Sequence, residues 1–171
     1  MIYAVGLGSN LDSKHGDQYQ TLKKSLELIK SKTIKVLKVS NIYITQPVGM
    51  TNVNWFFNAA IVISTPLKPD NLIYILKDIE IEMGRDIDVP NVSRPCDLDI
   101  LLVDCDKEYR SISGKYPVII PHERMHLRMF VLKPLMDVCP NWIHTNLKKT
   151  IKNIITELKS TEELTSYDKH L

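Results

Sequence analysis

One stretch of the sequence limits the fold more than any other. Residues 56–63 form a nearly continuous apolar run, interrupted only by Asn58. A strand with one face in water alternates apolar and polar side chains, whereas a strand covered on both faces does not. The run therefore predicts a strand in the interior of a sheet.

Strands and helices alternate around this run. The predicted strands are residues 2–7, 34–45 (with a bulge or bend), 56–63, 96–103 and 118–120. The predicted helices are residues 18–31, preceded by a capping box of Asp17 and Gln20, a second from Pro69 to a cap at Gly84, a third opened by Pro121 and ended or kinked by Pro134, and a fourth over 146–158. The order β-α-β-β-α-β predicts a ferredoxin-like α/β core with a mostly antiparallel sheet.

The overall numbers indicate one domain. A chain of 171 residues is of single-domain size, and we place the domain at residues 1–160. Residues 161–171 lack apolar periodicity and predict a frayed tail. The net charge of +2 suits an anionic small molecule and gives no indication of nucleic-acid binding. There is no basic leader and no apolar run of membrane-spanning length, so we expect a cytoplasmic protein with no membrane partner.

Asp97-Leu98-Asp99 is the sharpest chemical feature. Side chains alternate across a strand, so both carboxylates point to one face. Hard oxygen ligands select magnesium or manganese, and a carboxylate pair can hold two such ions around a polyphosphate. The alternative is a solvated strand face with two charges. Arg85, Arg94 and Arg128 supply guanidinium groups that could bind phosphate oxygens.

Residues 122–126 match the H-E-x-x-H pattern of zinc peptidases, in which two histidines one helical turn apart bind the metal. Arg124 and Arg128 place positive charge in the same segment and oppose a bound cation. A zinc peptidase is therefore kept only as an alternative.

Short motifs in a fixed order complete the pattern. They are Gly8-Ser9-Asn10-Leu11, residues 43–49 (YITQPVG), Phe57-Asn58-Ala59-Ala60, Ile79-Glu80, Gly84-Arg85, residues 94–101 (RPCDLDIL), residues 121–126 with Arg128, and Phe130-Val131-Leu132. Over residues 2–140 this series resembles the 6-hydroxymethyl-7,8-dihydropterin pyrophosphokinase family.

The resemblance implies a three-layer αβα sandwich. It also implies transfer of the β,γ-diphosphate of ATP to the hydroxymethyl group of 6-hydroxymethyl-7,8-dihydropterin, releasing AMP, in folate biosynthesis. Two Mg²⁺ ions on Asp97 and Asp99 would assist an in-line attack by a metal-activated hydroxyl, with Arg85 and Arg94 beside them. Loops around 45–55 and 85–95 would shield the substrates from water.

The family pattern also implies which residues contact the two substrates. The implied pterin-binding residues are Thr45, Val48, Phe56, Asn58 and Phe130, and the implied ATP-binding residues are Glu80, Arg85, Arg94, Ile100, His122 and Arg128. We expect a monomer, with a weak dimer as the alternative. A non-catalytic ferredoxin-like ligand-binding module is the second functional alternative.

Overall fold

The computed structural model describes residues 1–45, 54–86, 94–160 and 164–171. Val48 and most of the two predicted shielding loops lie outside these residues. The strands are β1 (Ile2–Ser9), β2 (Lys35–Val39), β3 (Tyr43–Thr45), β4 (Phe56–Ser64), β5 (Asp97–Val103), β6 (Tyr109–Ser111), β7 (Val118–Ile120), β8 (Ile143–His144), β9 (Lys149–Thr150) and β10 (Leu164–Ser166). The helices are α1 (Gln18–Lys30), α2 (Pro69–Glu82), α3 (Met129–Val138) and α4 (Ile151–Glu157), with a 3₁₀-helix at Met125–Leu127.

Local sequence signals set the bounds of the first two helices. The predicted capping box begins α1, since Asp17 accepts from the Gln20 N–H and Gln20 returns the bond to the Asp17 N–H. Gly84 ends α2 with φ at +94°. The Gly84 and Arg85 N–H groups donate to the Ile81 and Glu80 carbonyls, the hydrogen-bond pattern of a Schellman cap. The cap directs Arg85 back toward the end of α2.

Six strands of the described residues form one antiparallel sheet in the order β10-β3-β4-β1-β5, with β2 also paired to β4. Across the sheet, β5 is followed by β1, then β4, and then by β2 and β3, which both pair with β4. This is the strand order of a ferredoxin-like fold. As the apolar run predicts, β4 lies inside the sheet. The mostly antiparallel α/β class is confirmed.

Two cores lie on opposite faces of this sheet and make three layers. On one face Val5, Ile61 and Leu98 pack among the apolar side chains of α1 and α2. On the other face Ala4, Ala60 and Leu101 pack against α3 and α4. Successive side chains of β1 and β4 thus pack alternately into the two cores. The predicted αβα sandwich is confirmed.

The structure differs from prediction most after residue 120. Pro121 does not open a helix, because residues 121–128 form a turn and a 3₁₀-helix, and α3 begins only at Met129. Pro134 lies inside α3, which continues to Val138. The predicted helix over 146–158 is shorter, since β8 and β9 form a hairpin before α4.

Two further expectations are corrected. The predicted strand over 34–45 is interrupted: β2 contains the expected bulge, between Val36 and Lys38, and β3 is separate. The predicted frayed tail is wrong for the part that the structure describes, because β10 pairs with β3 and Tyr167 packs on the core. No helix among the described ranges is both long enough and apolar enough to cross a membrane.

The β8–β9 hairpin buries His144 against His126. The His144 side chain is almost fully buried, and within the described residues neither ring nitrogen has a hydrogen-bond partner. The two imidazole centroids are 5.2 Å apart, edge to face. Burial, followed by the proximity of His126, lowers the pKa of His144 below its ordinary value of 6.5.

We predict that His144 makes folding sensitive to acid. The unfolded chain binds a proton at this residue near pH 6.5, whereas the folded chain resists protonation to a lower pH. The free energy of unfolding therefore falls as the pH drops through 6.5. Urea denaturation between about pH 7.5 and pH 5.5, on either side of the ordinary histidine pKa, should show a shallower fall for His144→Phe. The exposed-site control His170→Phe should follow the unaltered chain, and equal slopes for all three would contradict the assignment.

Candidate active site

The predicted carboxylate pair lies on one face of β5, as the alternation requires. The Asp97 and Asp99 side chains are 30% and 37% exposed, while Leu98 between them is fully buried on the opposite face. Both carboxylates line a cavity of about 60 Å³ beside α3. The pair is therefore accessible to a ligand.

Two glycines of β1 form the floor of this first cavity. Gly8 is paired with Asn58 on one side and Asp97 on the other, and Gly6 is paired in the same way with Ala60 and Asp99. A Cβ on Gly8 would lie 3.8 Å from the Asn58 Oδ1 and would stand in the gap between the two polar side chains. Gly8 therefore keeps that gap open.

The amide of Asn58 is held in one orientation. Its Nδ2 donates to the Thr45 Oγ1 at 3.0 Å, and it also faces the Phe56 carbonyl at 3.4 Å and the Tyr43 carbonyl at 3.5 Å. Carbonyl oxygens only accept, so the NH₂ group must point to them. The Oδ1 atom is left on the Gly8 side, where the first cavity can use it as an acceptor.

The opposite wall of the first cavity comes from the start of α3 and the residue before it. Phe130 and Arg128 both line it, with the Arg128 guanidinium carbon 5.6 Å from the centre of the Phe130 ring. An aromatic face, an oriented amide and two carboxylates thus surround one space. This composition suits a flat, polar-edged ring.

A second cavity, of about 200 Å³, meets the first at Asp99. Its walls include Ile73 and Lys77 of α2, Ile100 of β5, the segment 116–119, and His122. The His122 Nδ1 accepts from the Arg124 N–H at 3.3 Å, and the Nε2 lies 3.9 Å from the Asp99 carboxylate. Asp99 is therefore shared by two neighbouring spaces of different character.

Three cationic side chains surround the carboxylates. Arg85 and Arg94 lie 2.5 Å and 3.3 Å from the Asp97 Oδ1, and Lys77 lies 3.8 Å from Asp99. Burial acts to raise the pKa of Asp97, but Arg94 and Arg85 outweigh it and hold that pKa below its ordinary value. Asp97 is consequently ionised at neutral pH.

Glu80 supports this cluster from beneath the strand. It is completely buried. Its Oε1 accepts from the Leu98 N–H at 2.6 Å and from Lys77 at 2.8 Å, and its Oε2 forms an ion pair with Arg85 at 2.7 Å. Burial raises the pKa of Glu80 to about 7, against the opposing effect of Lys77. This carboxylate has no exposed surface and pairs with Arg85, and its implied contact with ATP stays a prediction.

Asn10 positions Arg94 in a similar way. The Asn10 Oδ1 accepts from the Arg94 N–H at 2.7 Å, and the Asn10 N–H donates to the Arg94 carbonyl at 3.2 Å. Asn10 is almost fully buried. It is absent from the predicted site residues, although it ends the Gly-Ser-Asn motif.

The other predicted residues fall into distinct places. Thr45 is buried behind Asn58 and acts on its amide, and Phe56 contributes a carbonyl oxygen to the same amide. Arg128 lies in the first cavity with Phe130, whereas Ile100 and His122 line the second. The second cavity also contains Lys77 and Tyr116, which sequence reasoning did not select.

The zinc-peptidase alternative is wrong. His122 lies on a turn and His126 on a 3₁₀-helix, so the two are not one α-helical turn apart. His122 is directed at Asp99 and His126 at His144. Across the described ranges, no group of three or more His, Cys, Asp or Glu side chains could hold a metal ion.

Magnesium fits the carboxylate pair better than zinc does. Mg²⁺ commonly takes one or two protein carboxylates and completes its coordination with water and substrate phosphates. Asp97 and Asp99 provide such a donor set, and the His122 Nε2 lies 3.9 Å from the Asp99 carboxylate. The fold and the site together place the chain in a class of α/β proteins. In this class, two carboxylates lie between an aromatic-walled cavity and a second cavity.

Comparison with known proteins identifies the family. The chain belongs to the 7,8-dihydro-6-hydroxymethylpterin-pyrophosphokinase (HPPK) family, whose model matches residues 4–140. It is 38% identical over 136 residues to the 2-amino-4-hydroxy-6-hydroxymethyldihydropteridine pyrophosphokinase of Bacillus subtilis, covering 79% of this chain and 76% of that one. The family predicted from the sequence is confirmed, and its description is that of a pyrophosphokinase.

Two larger proteins contain a similar region. A folate synthesis bifunctional protein of Arabidopsis thaliana is 43% identical over 135 residues, which are 78% of this chain and 26% of that protein. The wild-type HPPK-DHPS crystal structure from Plasmodium falciparum superposes with a TM-score of 0.72 at 16% identity, over 91% of this chain and 44% of that one. The chain thus spans only about a quarter of the Arabidopsis relative, and the Plasmodium likeness shows the fold.

We predict that Glu80 contributes to the stability of the fold. Glu80→Ala leaves the Leu98 N–H without its acceptor and Arg85 without one of its carboxylates, and should lower the free energy of unfolding by roughly 2–4 kcal/mol in urea denaturation. Glu80→Gln should cost less, because its amide oxygen can still accept from Leu98. The control is Glu82→Ala on the exposed end of the same helix. Equal losses at residues 80 and 82 would contradict this role.

Proposed function

We propose that this chain transfers the β,γ-diphosphate of ATP to the hydroxymethyl oxygen of 6-hydroxymethyl-7,8-dihydropterin and releases AMP, a step of folate biosynthesis. The observation that carries the proposal is that Asp99 is shared by two cavities, each suited to one substrate. Family membership supports the same conclusion.

The first cavity is the proposed pterin site. The pterin ring would stack on Phe130, and the Asn58 Oδ1 would accept from an N–H on the ring edge, since the amide orientation leaves that atom toward the cavity. Thr45 would act through Asn58, which it orients. Val48 and Phe56 are further proposed contacts of the pterin.

The second cavity is the proposed ATP site. Its larger volume and its apolar wall at Ile100 suit a nucleotide, and His122 and Lys77 lie near Asp99, where phosphates would enter. Arg85, Arg94 and Arg128 would bind phosphate oxygens at the boundary of the two cavities. Arg85 and Arg94 already lie beside Asp97, so a bound polyphosphate would compete with that carboxylate for them.

Asp97 and Asp99 would hold two Mg²⁺ ions. Bound magnesium supplies positive charge that neutralises phosphate oxygens and makes the pterin hydroxyl easier to deprotonate. The hydroxyl oxygen would attack the β-phosphorus in line as the bond to the α-phosphate oxygen breaks. The protein's contribution is to align the substrates and fix the cations, since phosphoryl transfer needs no covalent intermediate. The cytoplasmic location and the monomeric state stay predictions.

The reaction is tested by product analysis. With ATP and Mg²⁺, AMP should form only when the reduced hydroxymethyl-pterin is added. Asp97→Asn and Asp99→Asn should each lower kcat at least about a hundredfold, because each removes an anionic ligand of the proposed magnesium ions that neutralise the reacting phosphates. The exposed-site control Asp106→Asn should retain full activity. ADP as the product, or AMP formation independent of pterin, would reject the proposal; pterin and ATP binding without turnover would favour the non-catalytic module.

The pterin site is tested at Phe130. Phe130→Ala should weaken pterin binding by roughly 1–3 kcal/mol in calorimetry, because a stacked ring is lost. Phe130→Tyr keeps the aromatic face and serves as the matched control. An unchanged pterin affinity in Phe130→Ala would remove this residue from the proposed site.

A further inference from the structure

The segment 164–171 forms part of the sheet next to the first cavity, although it lies outside the residues that match the family. Its strand β10 pairs with β3, with Leu164 opposite Thr45 and Ser166 opposite Tyr43. The Tyr167 N–H extends this pairing by donating to the Ile42 carbonyl at 2.9 Å. One edge of β3 is therefore covered by this segment.

Tyr167 also fastens the segment to β4. Its ring contacts Phe57 edge to face at 5.0 Å and Tyr19 of α1 at 5.8 Å between centroids. The Tyr19 hydroxyl donates to the His170 carbonyl at 3.0 Å. Phe57 directly precedes Asn58 in β4 and points to the opposite face of the sheet, so the ring contact holds the strand that carries the amide from the side away from the first cavity.

The orientation of Asn58 depends on the position of β3. The strand has three residues, and its other neighbour is β4, where Tyr43 lies opposite Asn58 and Thr45 opposite Phe56. The Thr45 hydroxyl and the Tyr43 carbonyl both face the Asn58 Nδ2. A shift of β3 by a fraction of an ångström would lengthen these bonds and release the amide.

We propose that the segment 164–171 is a positioning element of the pterin site, with Tyr167 as its principal positioning residue. The segment holds β3 from the side opposite β4 and so keeps the Asn58 Oδ1 directed at the ligand. None of the residues 164–171 lines the second cavity, the proposed ATP site. The inference rests on the proposed function, since it names what sets the affinity of that site for pterin.

The test compares two affinities in the full chain. Tyr167→Ala should raise the Kd for 6-hydroxymethyl-7,8-dihydropterin roughly three- to tenfold, the range expected for losing an aromatic pair. The Kd for Mg²⁺–ATP should stay within about twofold. Tyr167→Phe keeps both ring contacts and should bind pterin as the unaltered chain does.

A cross-strand tether distinguishes positioning from general stability. Ile44 and Thr165 are direct partners, so a disulfide between Ile44→Cys and Thr165→Cys would hold β10 on β3 without the tyrosine ring. Added to Tyr167→Ala, the oxidised tether should restore pterin affinity, and its reduction should remove the gain.

Several outcomes would overturn the inference. These are an unchanged pterin Kd in Tyr167→Ala, an equal loss of ATP and pterin affinity, and failure of the oxidised tether to restore binding. If the unaltered chain binds no pterin, the proposed function itself is rejected. If the unaltered chain and Tyr167→Ala both bind pterin normally, only the positioning role is rejected.

Discussion

The candidate site depends on one buried carboxylate. Glu80 joins the end of α2 to the start of β5 through the Leu98 N–H, and it fixes Lys77 and Arg85 at the same time. A buried charge is tolerated only when paired, and here the pairing places one guanidinium and one ammonium group beside Asp97 and Asp99. The Schellman cap at Gly84 contributes the matching backbone turn. The packing of α2 on β5 and the positions of Lys77 and Arg85 thus depend on the same carboxylate.

The first cavity also depends on the absence of a side chain in β1. Gly8 lies between Asn58 of β4 and Asp97 of β5, on the sheet face that α3 covers elsewhere. Without a side chain at Gly8, the space between these two polar residues stays open. From Gly6 onward the same face is filled by Leu101, Ala60 and Ala4. One end of the core beneath α3 is therefore a cavity, and the other end is packed interior.

Local patterns predicted the first half of the fold well. The capping box at Asp17, the glycine cap at Gly84 and the apolar run of β4 each act over a few residues, and each held. After residue 120 the same reasoning failed, because apolar spacing alone cannot tell a 3₁₀-helix and a hairpin from a helix. Alternation correctly placed Asp97 and Asp99 together. The burial of Glu80, the Asn10–Arg94 bonds and the orientation of Asn58 depend on contacts between distant segments, to which no local pattern corresponds.

The pairing of β10 with β3 has a consequence for synthesis. Thr45 and its partner Leu164 are separated by roughly 120 residues, which a ribosome adds in about 6–24 s at 5–20 residues per second. Throughout that interval β3 presents an uncovered edge, with backbone groups able to pair with another nascent chain. The short length of β3 limits this exposure to three residues. When several copies of this chain are translated close together, the short β3 edge therefore limits mispairing between them.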